Sequence, residues 1–381
     1  MGLGLALLTA AALAQTPAAP PQLAYFYKPP LDGTSAAFLA SHFQLIILTH
    51  GDERYLAQLR AAGYRGLVLQ YIAANETEGP GPYANAQARC DLAYPAFQRT
   101  VADRDGVFCR AIHPHEDWFL HNLAGARLLT RLRSADRVWR TTYLMNPASS
   151  GWRAFLIARL RQYRRLGFDG FFLDNLDLSR AGLLRQPTTR GGVAEFSTDA
   201  RYRAAETAYL AALRSAFPGV PIWANLTHDP YQTGGWRAYL PALDGVMVEN
   251  FGLGWPRRPL TAAALAAQLA NVRAVLAQGK GVIAVVQGAQ HDSARLQTGL
   301  DLYRSLLWRQ PGDAPSTSGR PLPGIEARPP SDQRERPRQK VASHPARGPL
   351  YFRYADAFDH DYRTVWWFPA YTKVAAGKPN P

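Results

Sequence analysis

Two carboxylates close apolar runs in matching surroundings. Asp174 ends Gly170-Phe-Phe-Leu-Asp and Glu249 ends Gly245-Val-Met-Val-Glu; an Asp-Gly pair opens each run, and Asn175 or Asn250 follows. A carboxylate at the end of a buried strand is costly unless it is paired or used. Two such groups facing one another suit glycosidic bond cleavage. One supports an oxocarbenium-like transition state while the other handles the leaving-group proton. Their surroundings then set different pKa values and so different roles. The structural alternative for either is a helix cap or a buried ion pair.

Other polar residues recur at the ends of apolar runs. Asn146, Asn175, Asn225 and Asn250 are candidates for binding sugar hydroxyls, with Glu76 and Asp177 beside them. Tyr25, Tyr27, Tyr71, Trp223, Phe251 and Trp255 are candidates for stacking on sugar rings, with ordinary core packing as the alternative for each. Asp177 suits a helix cap equally well. Arg353 is a charge inside an aromatic strand, placed either to face a catalytic carboxylate or to make a structural ion pair. His113-Pro-His115-Glu-Asp is the one histidine cluster, away from strand ends, and His50 and His228 lie at or just after strand ends. A metal-dependent hydrolase is therefore kept as an alternative, but no metal ligand set is assigned and no cofactor is implied. No G-x-S-x-G follows any strand, so a serine nucleophile has no support.

These residues need a scaffold that brings strand ends together. Strands are predicted at Leu23–Tyr27, Gln44–Leu48, Gly66–Tyr71, Thr142–Asn146, Gly170–Asp174, Ile222–Asn225, Val246–Asn250 and Gly281–Gln287. They are near-continuous apolar runs, as buried parallel strands are. Amphipathic segments fall between them at Phe38–Ser41, Arg54–Ala62, Gly151–Leu166, Ala200–Phe217, Thr261–Gln278 and Ser293–Trp308. Eight such units predict an α/β fold, a (β/α)8 TIM barrel over residues 15–309 with its reactive groups at the C-terminal strand ends. A doubly wound sheet is the runner-up, but no GxGxxG follows the first strand.

Two stretches break the rhythm. Residues 74–140 form a long excursion after the third strand. Residues 310–349 hold nine prolines, with seven basic residues against four acidic ones, and predict a flexible, exposed insert. After it, 350–381 contains the aromatic, strand-like Leu350–Asp356 and Thr364–Tyr371, expected to pack back on the barrel.

The chain's 381 residues are 47% hydrophobic, enough for one large core or two ordinary ones, and this excludes a disordered protein. The net charge is +14, with 38 of the 43 basic residues arginine and spread throughout. That dispersal argues against a specific nucleic-acid partner and for a general attraction to anionic cell surfaces. The apolar run Gly2–Leu13, closing in Ala12-Leu-Ala14, reads as a signal peptide over residues 1–14, although no Lys or Arg precedes it, and predicts a secreted or periplasmic protein. Cys90 and Cys109, the only cysteines, lie in the long excursion and fit a disulfide in an oxidising compartment.

Tyr71-Ile-Ala-Ala-Asn-Glu-Thr-Glu, Phe168-Asp-Gly-Phe-Phe-Leu-Asp-Asn and Val246-Met-Val-Glu-Asn-Phe resemble the signatures of family 114 glycoside hydrolases, the endo-α-1,4-polygalactosaminidase type. Tyr143-Leu-Met-Asn-Pro with Trp152, and Tyr351-Phe-Arg-Tyr, resemble the related hypothetical glycosyl hydrolase-like family 15, whose activity is unestablished. The resemblance spans most of the chain from Leu23 and implies Asp174 as nucleophile and Glu249 as acid/base. Where the first family usually has Gly before its first Glu, this chain has Asn75 before Glu76. The expectation is a monomeric, cofactor-independent glycosidase of retaining mechanism acting on a polysaccharide or oligosaccharide. A catalytically silent carbohydrate-binding barrel is the rival.

Overall fold

The structure is a computed structural model that describes residues 20–79, 90, 107–133, 139–184, 189, 191–227, 234–254, 256, 258–307, 348–356 and 363–372. The expected leader, the insert as far as residue 347, His228 and Trp255 lie outside these residues. The strands are β1 (Ala24–Phe26), β2 (Leu45–Leu48), β3 (Leu67–Ala73), β4 (Glu76–Gly79), β5 (Leu129–Arg133), β6 (Trp139–Leu144), β7 (Gly170–Asp177), β8 (Ile222–Thr227), β9 (Gly245–Val248), β10 (Gly281–Gly288) and β11 (Leu350–Asp356). The helices are α1 (Ala36–His42), α2 (Glu53–Ala61), α3 (Ser150–Arg164), α4 (Ala181–Leu184), α5 (Asp199–Ala216), α6 (Ala262–Ala277) and α7 (Ser293–Leu307).

Eight strands form one parallel sheet in the order β1-β2-β3-β7-β8-β9-β10-β11. A Leu23–Phe352 bridge, with Phe352 N donating to the Gln22 carbonyl at 2.7 Å, joins its two edges. The fold is a (β/α)8 barrel. Among the described residues, helices cover it between successive strands except between β8 and β9, where two short 3₁₀ turns, Gly235–Ala238 and Leu240–Ala242, stand instead. Ser35, Ser149, Thr198 and Thr261 cap α1, α3, α5 and α6 through their side-chain oxygens.

Thr142–Asn146 is not the fourth barrel strand. Its residues fall largely in β6, which pairs antiparallel with β4 and β5 in a separate three-stranded sheet built by the excursion after β3. The eighth barrel strand is β11, which pairs in parallel with β10 along its whole length. Thr364–Tyr371 is not a strand; it is irregular and ends in a 3₁₀ turn, Pro369–Tyr371. The fourth and eighth strands were misplaced for one reason: an apolar, aromatic run looks the same in either sheet, and only its pairing partner differs.

The Asp-Gly pairs explain how the strands are seated. Asp169 accepts from Val68 N at 2.7 Å and pairs with Arg60 at 2.6 Å. Asp244 accepts from Ile222 N at 2.8 Å and pairs with Arg214 at 2.5 Å. Each aspartate thus ties the start of its strand to the strand before it and to an outer helix. The glycine that follows permits close approach: a Cβ on Gly170 would overlap the Pro221 carbonyl, and one on Gly245 would overlap the Trp223 ring.

Inside the barrel, side chains alternate strictly. Ala24, Phe26, Leu45, Ile47, Leu69, Tyr71, Phe172, Trp223, Met247, Ile283, Val285 and Tyr351 fill the interior, while their chain neighbours pack outward against the helices. Among the described residues no helix is long and apolar enough to cross a membrane.

Candidate active site

Continuing that alternation by one step on each strand places Asp174 after Phe172, Asn225 after Trp223, Glu249 after Met247 and Arg353 after Tyr351. All four face inward above the apolar filling. A one-residue bulge between β7 and β8, where Leu173 and Leu176 pair with Ala224 and Leu226, sets the height of Asp174. Asn175, in the bulge, is left-handed at φ 56°.

Asp174 is held from two sides. The Tyr71 hydroxyl donates a very short hydrogen bond to Oδ2, and Asn225 Nδ2 donates to Oδ1 at 3.0 Å. The same Asn225 nitrogen lies 3.4 Å from Glu249 Oε2. The nearest oxygens of the two carboxyl groups are therefore no farther apart than the sum of 3.0 and 3.4 Å. Burial raises the Glu249 pKa to about 7, and the charge of Asp174 adds to the rise. The Asn225 hydrogen bond and the Arg353 cation pull it the other way. Gln287 Nε2 donates to the Glu249 carbonyl at 3.0 Å and fixes the backbone there.

The opposite wall is aromatic. Tyr27 stacks on Tyr71 at 5.0 Å, and Phe26 lies 5.7 Å from both Tyr71 and Phe172. The Arg353 guanidinium sits 4.9 Å over the Phe26 ring. On the β3 side, Glu76 Oε1 accepts from Asn175 Nδ2 at 3.1 Å. Asp177 ends β7, and its carbonyl accepts from the Tyr239 hydroxyl at 3.0 Å.

Six residues singled out in the sequence thus gather at the mouth: Asp174, Glu249, Asn225, Tyr71, Asn175 and Glu76. Tyr27 joins them as a ring platform, and Tyr71 acts there through its hydroxyl. Four others do not gather. Tyr25 faces outward and packs edge-on against Phe43 at 5.7 Å, because it is one residue out of phase with the interior. Phe251 is wholly buried in the layer between barrel and helices. Asn250 forms a turn in which its carbonyl accepts from Gly254 N at 3.3 Å. Asn146 Oδ1 accepts from Ala148 N at 2.9 Å, shaping the entry to α3. Phe26 was missed, although the period of two that excludes Tyr25 selects it.

Two of the histidines singled out have partners of other kinds. His50 stacks on Tyr163 of α3 at 4.7 Å, and His113 is bound to Arg127 at 2.9 Å. Among the described residues no group of three or more His, Cys, Asp or Glu is arranged to hold a metal ion. Cys90 and Cys109 form a disulfide.

Two adjoining carboxylates at the mouth of a (β/α)8 barrel are the arrangement that glycosidic bond cleavage needs. The signature of hypothetical glycosyl hydrolase family 15 matches residues 83–301, more than half of the chain, and the chain belongs to that family. Among solved structures it is similar to the glycoside hydrolase domain of PelA from Pseudomonas aeruginosa, with 19% identity, 74% of this chain and 92% of that one covered, and a TM-score of 0.43. It is also similar to Aspergillus fumigatus Ega3 in complex with galactosamine, with 15% identity, 73% and 81% covered, and a TM-score of 0.39. No curated protein matches the chain.

Proposed function

We propose that this protein is an exported, retaining glycosidase acting on a polysaccharide, with Asp174 as nucleophile and Glu249 as general acid/base. The observation that carries the reading is the single Asn225 nitrogen within hydrogen-bonding reach of both carboxyl groups. The ceiling it sets on their separation accommodates the roughly 5–5.5 Å of retaining pairs and falls short of most of the roughly 6.5–9.5 Å range of inverting ones.

In the first step Asp174 attacks the anomeric carbon while the Glu249 proton passes to the departing oxygen. With its pKa raised to about 7, Glu249 still carries that proton near neutrality. In the second step Glu249, now ionised, takes a proton from water, which displaces Asp174 from the sugar. Tyr71 and Asn225 fix the nucleophile on both its oxygens, so it enters the reaction pre-aimed. Tyr27 offers a ring face to the sugar, and Asn175 and Glu76 line the same side. Export rests on the apolar leader and on the Cys90–Cys109 disulfide, which an oxidising compartment favours.

The test uses partially N-acetylated polygalactosamine, the polymer that the family 114 resemblance points to. Release of reducing ends is followed, and the anomer formed first is identified by proton NMR. Retention of configuration and loss of turnover in Asp174→Asn, with an unchanged melting curve, are expected. Inversion would overturn the nucleophile assignment. Binding without turnover, unaltered in an Asp174→Asn/Glu249→Gln double variant, would identify a carbohydrate-binding barrel instead.

A further inference from the structure

Glu206 is a carboxyl group with no obvious business where it stands. It lies on α5, outside the barrel wall, and no part of it is exposed. An apolar residue would fill that space at far lower cost, since burying a carboxyl group demands compensation. What it touches leads back to the mouth.

Asn75 Nδ2 donates to Glu206 Oε1 at 2.6 Å. One turn further along α5, the Tyr209 hydroxyl donates to the Ala74 carbonyl at 3.2 Å. Asn75's own carbonyl accepts from Met145 N at 2.9 Å, so the corner between β3 and β4 is held from both sides. The next residue is Glu76, whose Oε1 accepts from Asn175 at 3.1 Å. Asn175 is the left-handed residue of the β7 bulge, directly after Asp174, a conformation that Asn adopts more readily than other non-glycine residues, and the Glu76 contact holds its side chain there.

We infer that Glu206 is a positioning residue: through Asn75 it sets the place of Glu76, and Glu76 holds the bulge that aims Asp174. Glu206 never meets substrate. The groups facing Glu206 are Tyr202 on its own helix, Asp177 at the end of β7, and Tyr209 and Tyr239 beyond. Burial raises its pKa to about 8, hydrogen bonds from Tyr202 and Asn75 oppose the rise, and the Asp177 charge adds to it. The group therefore works in its neutral form, and glutamine is its close mimic.

The kinetic readout rests on the glycosidase reading, so a second readout is independent of it. With partially N-acetylated polygalactosamine as substrate, Glu206→Gln is expected to keep kcat within about twofold, because an acceptor oxygen remains for Asn75. Glu206→Leu, which removes the acceptor, is expected to lower kcat about tenfold or more while KM changes less than about threefold, the mark of a loss felt in the transition state. In protein labelled with 15N at asparagine, the Asn75 side-chain amide is expected to titrate between pH 7 and 9 in the parent and to stay still in Glu206→Gln. A folded Glu206→Leu protein with parental kcat overturns the inference, as does a glutamine variant as impaired as the leucine one. An Asn75 amide whose chemical shift is the same in the parent and in Glu206→Leu overturns it too. If Glu206→Leu does not fold, Asn75→Ala tests the same link from its other end, with the same loss of kcat expected and parental kcat overturning it. A parent that cleaves no polymer defeats the glycosidase reading alone, and the Asn75 amide shift, compared between the parent and Glu206→Leu, still decides whether Glu206 grips Asn75.

Discussion

At the scale of single residues, Glu249 links chemistry to stability. Its unfolded pKa is near 4.5 and burial beside Asp174 raises it to about 7 in the folded chain. Between those values the unfolded chain releases a proton that the folded chain keeps, so this group costs stability progressively as pH rises from about 4.5 to 7. Glu249→Gln removes that cost. The variant should melt with the parent near pH 4, gain on it through pH 7, and hold a constant lead above; differential scanning fluorimetry across that range reads it directly. A gap that does not vary with pH would mean that Glu249 is not protonated in the fold. Arg353 acts on the same proton from the other side. Glu249, one residue past β9, stands level with Val285, which pairs with Arg353. The guanidinium therefore faces Glu249 across one strand and holds its pKa down. Arg353→Met should move the alkaline limb of the kcat profile to higher pH, because the acid then keeps its proton longer. A limb that stays put or moves down would show that the cation does not act on Glu249.

At the scale of elements, the Asp-Gly turns do for the strands what Asn225 does for the carboxyl groups. Asp244 joins Ile222 N of β8, the start of β9 and Arg214 of α5 in one contact set. Asp244→Ala leaves that amide and the guanidinium without their shared acceptor, and the expected loss is about 1–3 kcal/mol in urea unfolding. Activity should hardly change, since the turn lies at the barrel end opposite the mouth. A loss below a few tenths of a kcal/mol would mean that water replaces the carboxylate at no cost. These turns also mark what the sequence makes legible. Asp-Gly followed by an apolar run and a carboxylate identifies β7 and β9 and both catalytic candidates without any coordinates. The wall position of β11 is hidden in the sequence because residues 308–349 separate it from α7, and strand pairing leaves no local trace. Tyr25 and Phe251 were chosen by residue type alone. Their side of the strand or turn follows from register, and a shift of one residue exchanges mouth for core. Glu206 was invisible because a lone glutamate in a helix reads as solvated surface until its neighbours are known.

At the scale of the whole molecule, the +14 net charge and the acidic mouth pull in opposite directions. A polymer approaching from a distance meets the field of all the arginines, whereas a sugar at the mouth meets Asp174, Glu249 and Glu76. Salt separates the two, because it screens long-range steering over a Debye length of about 30 Å at 0.01 M and about 10 Å at 0.1 M while leaving buried contacts largely intact. With a polycationic chain such as fully deacetylated polygalactosamine, kcat/KM should therefore rise severalfold between those two salt concentrations as repulsion is screened. With the fully N-acetylated polymer it should stay flat, and with an anionic polymer binding should weaken. kcat at saturating substrate should not move in any of these series, because by then the substrate already sits where screening is least effective. If kcat/KM for the polycation instead falls with salt, the acidic mouth governs capture as well as chemistry. The arginine-rich exterior would then have no part in selecting the substrate, and its role would be attachment to anionic surfaces.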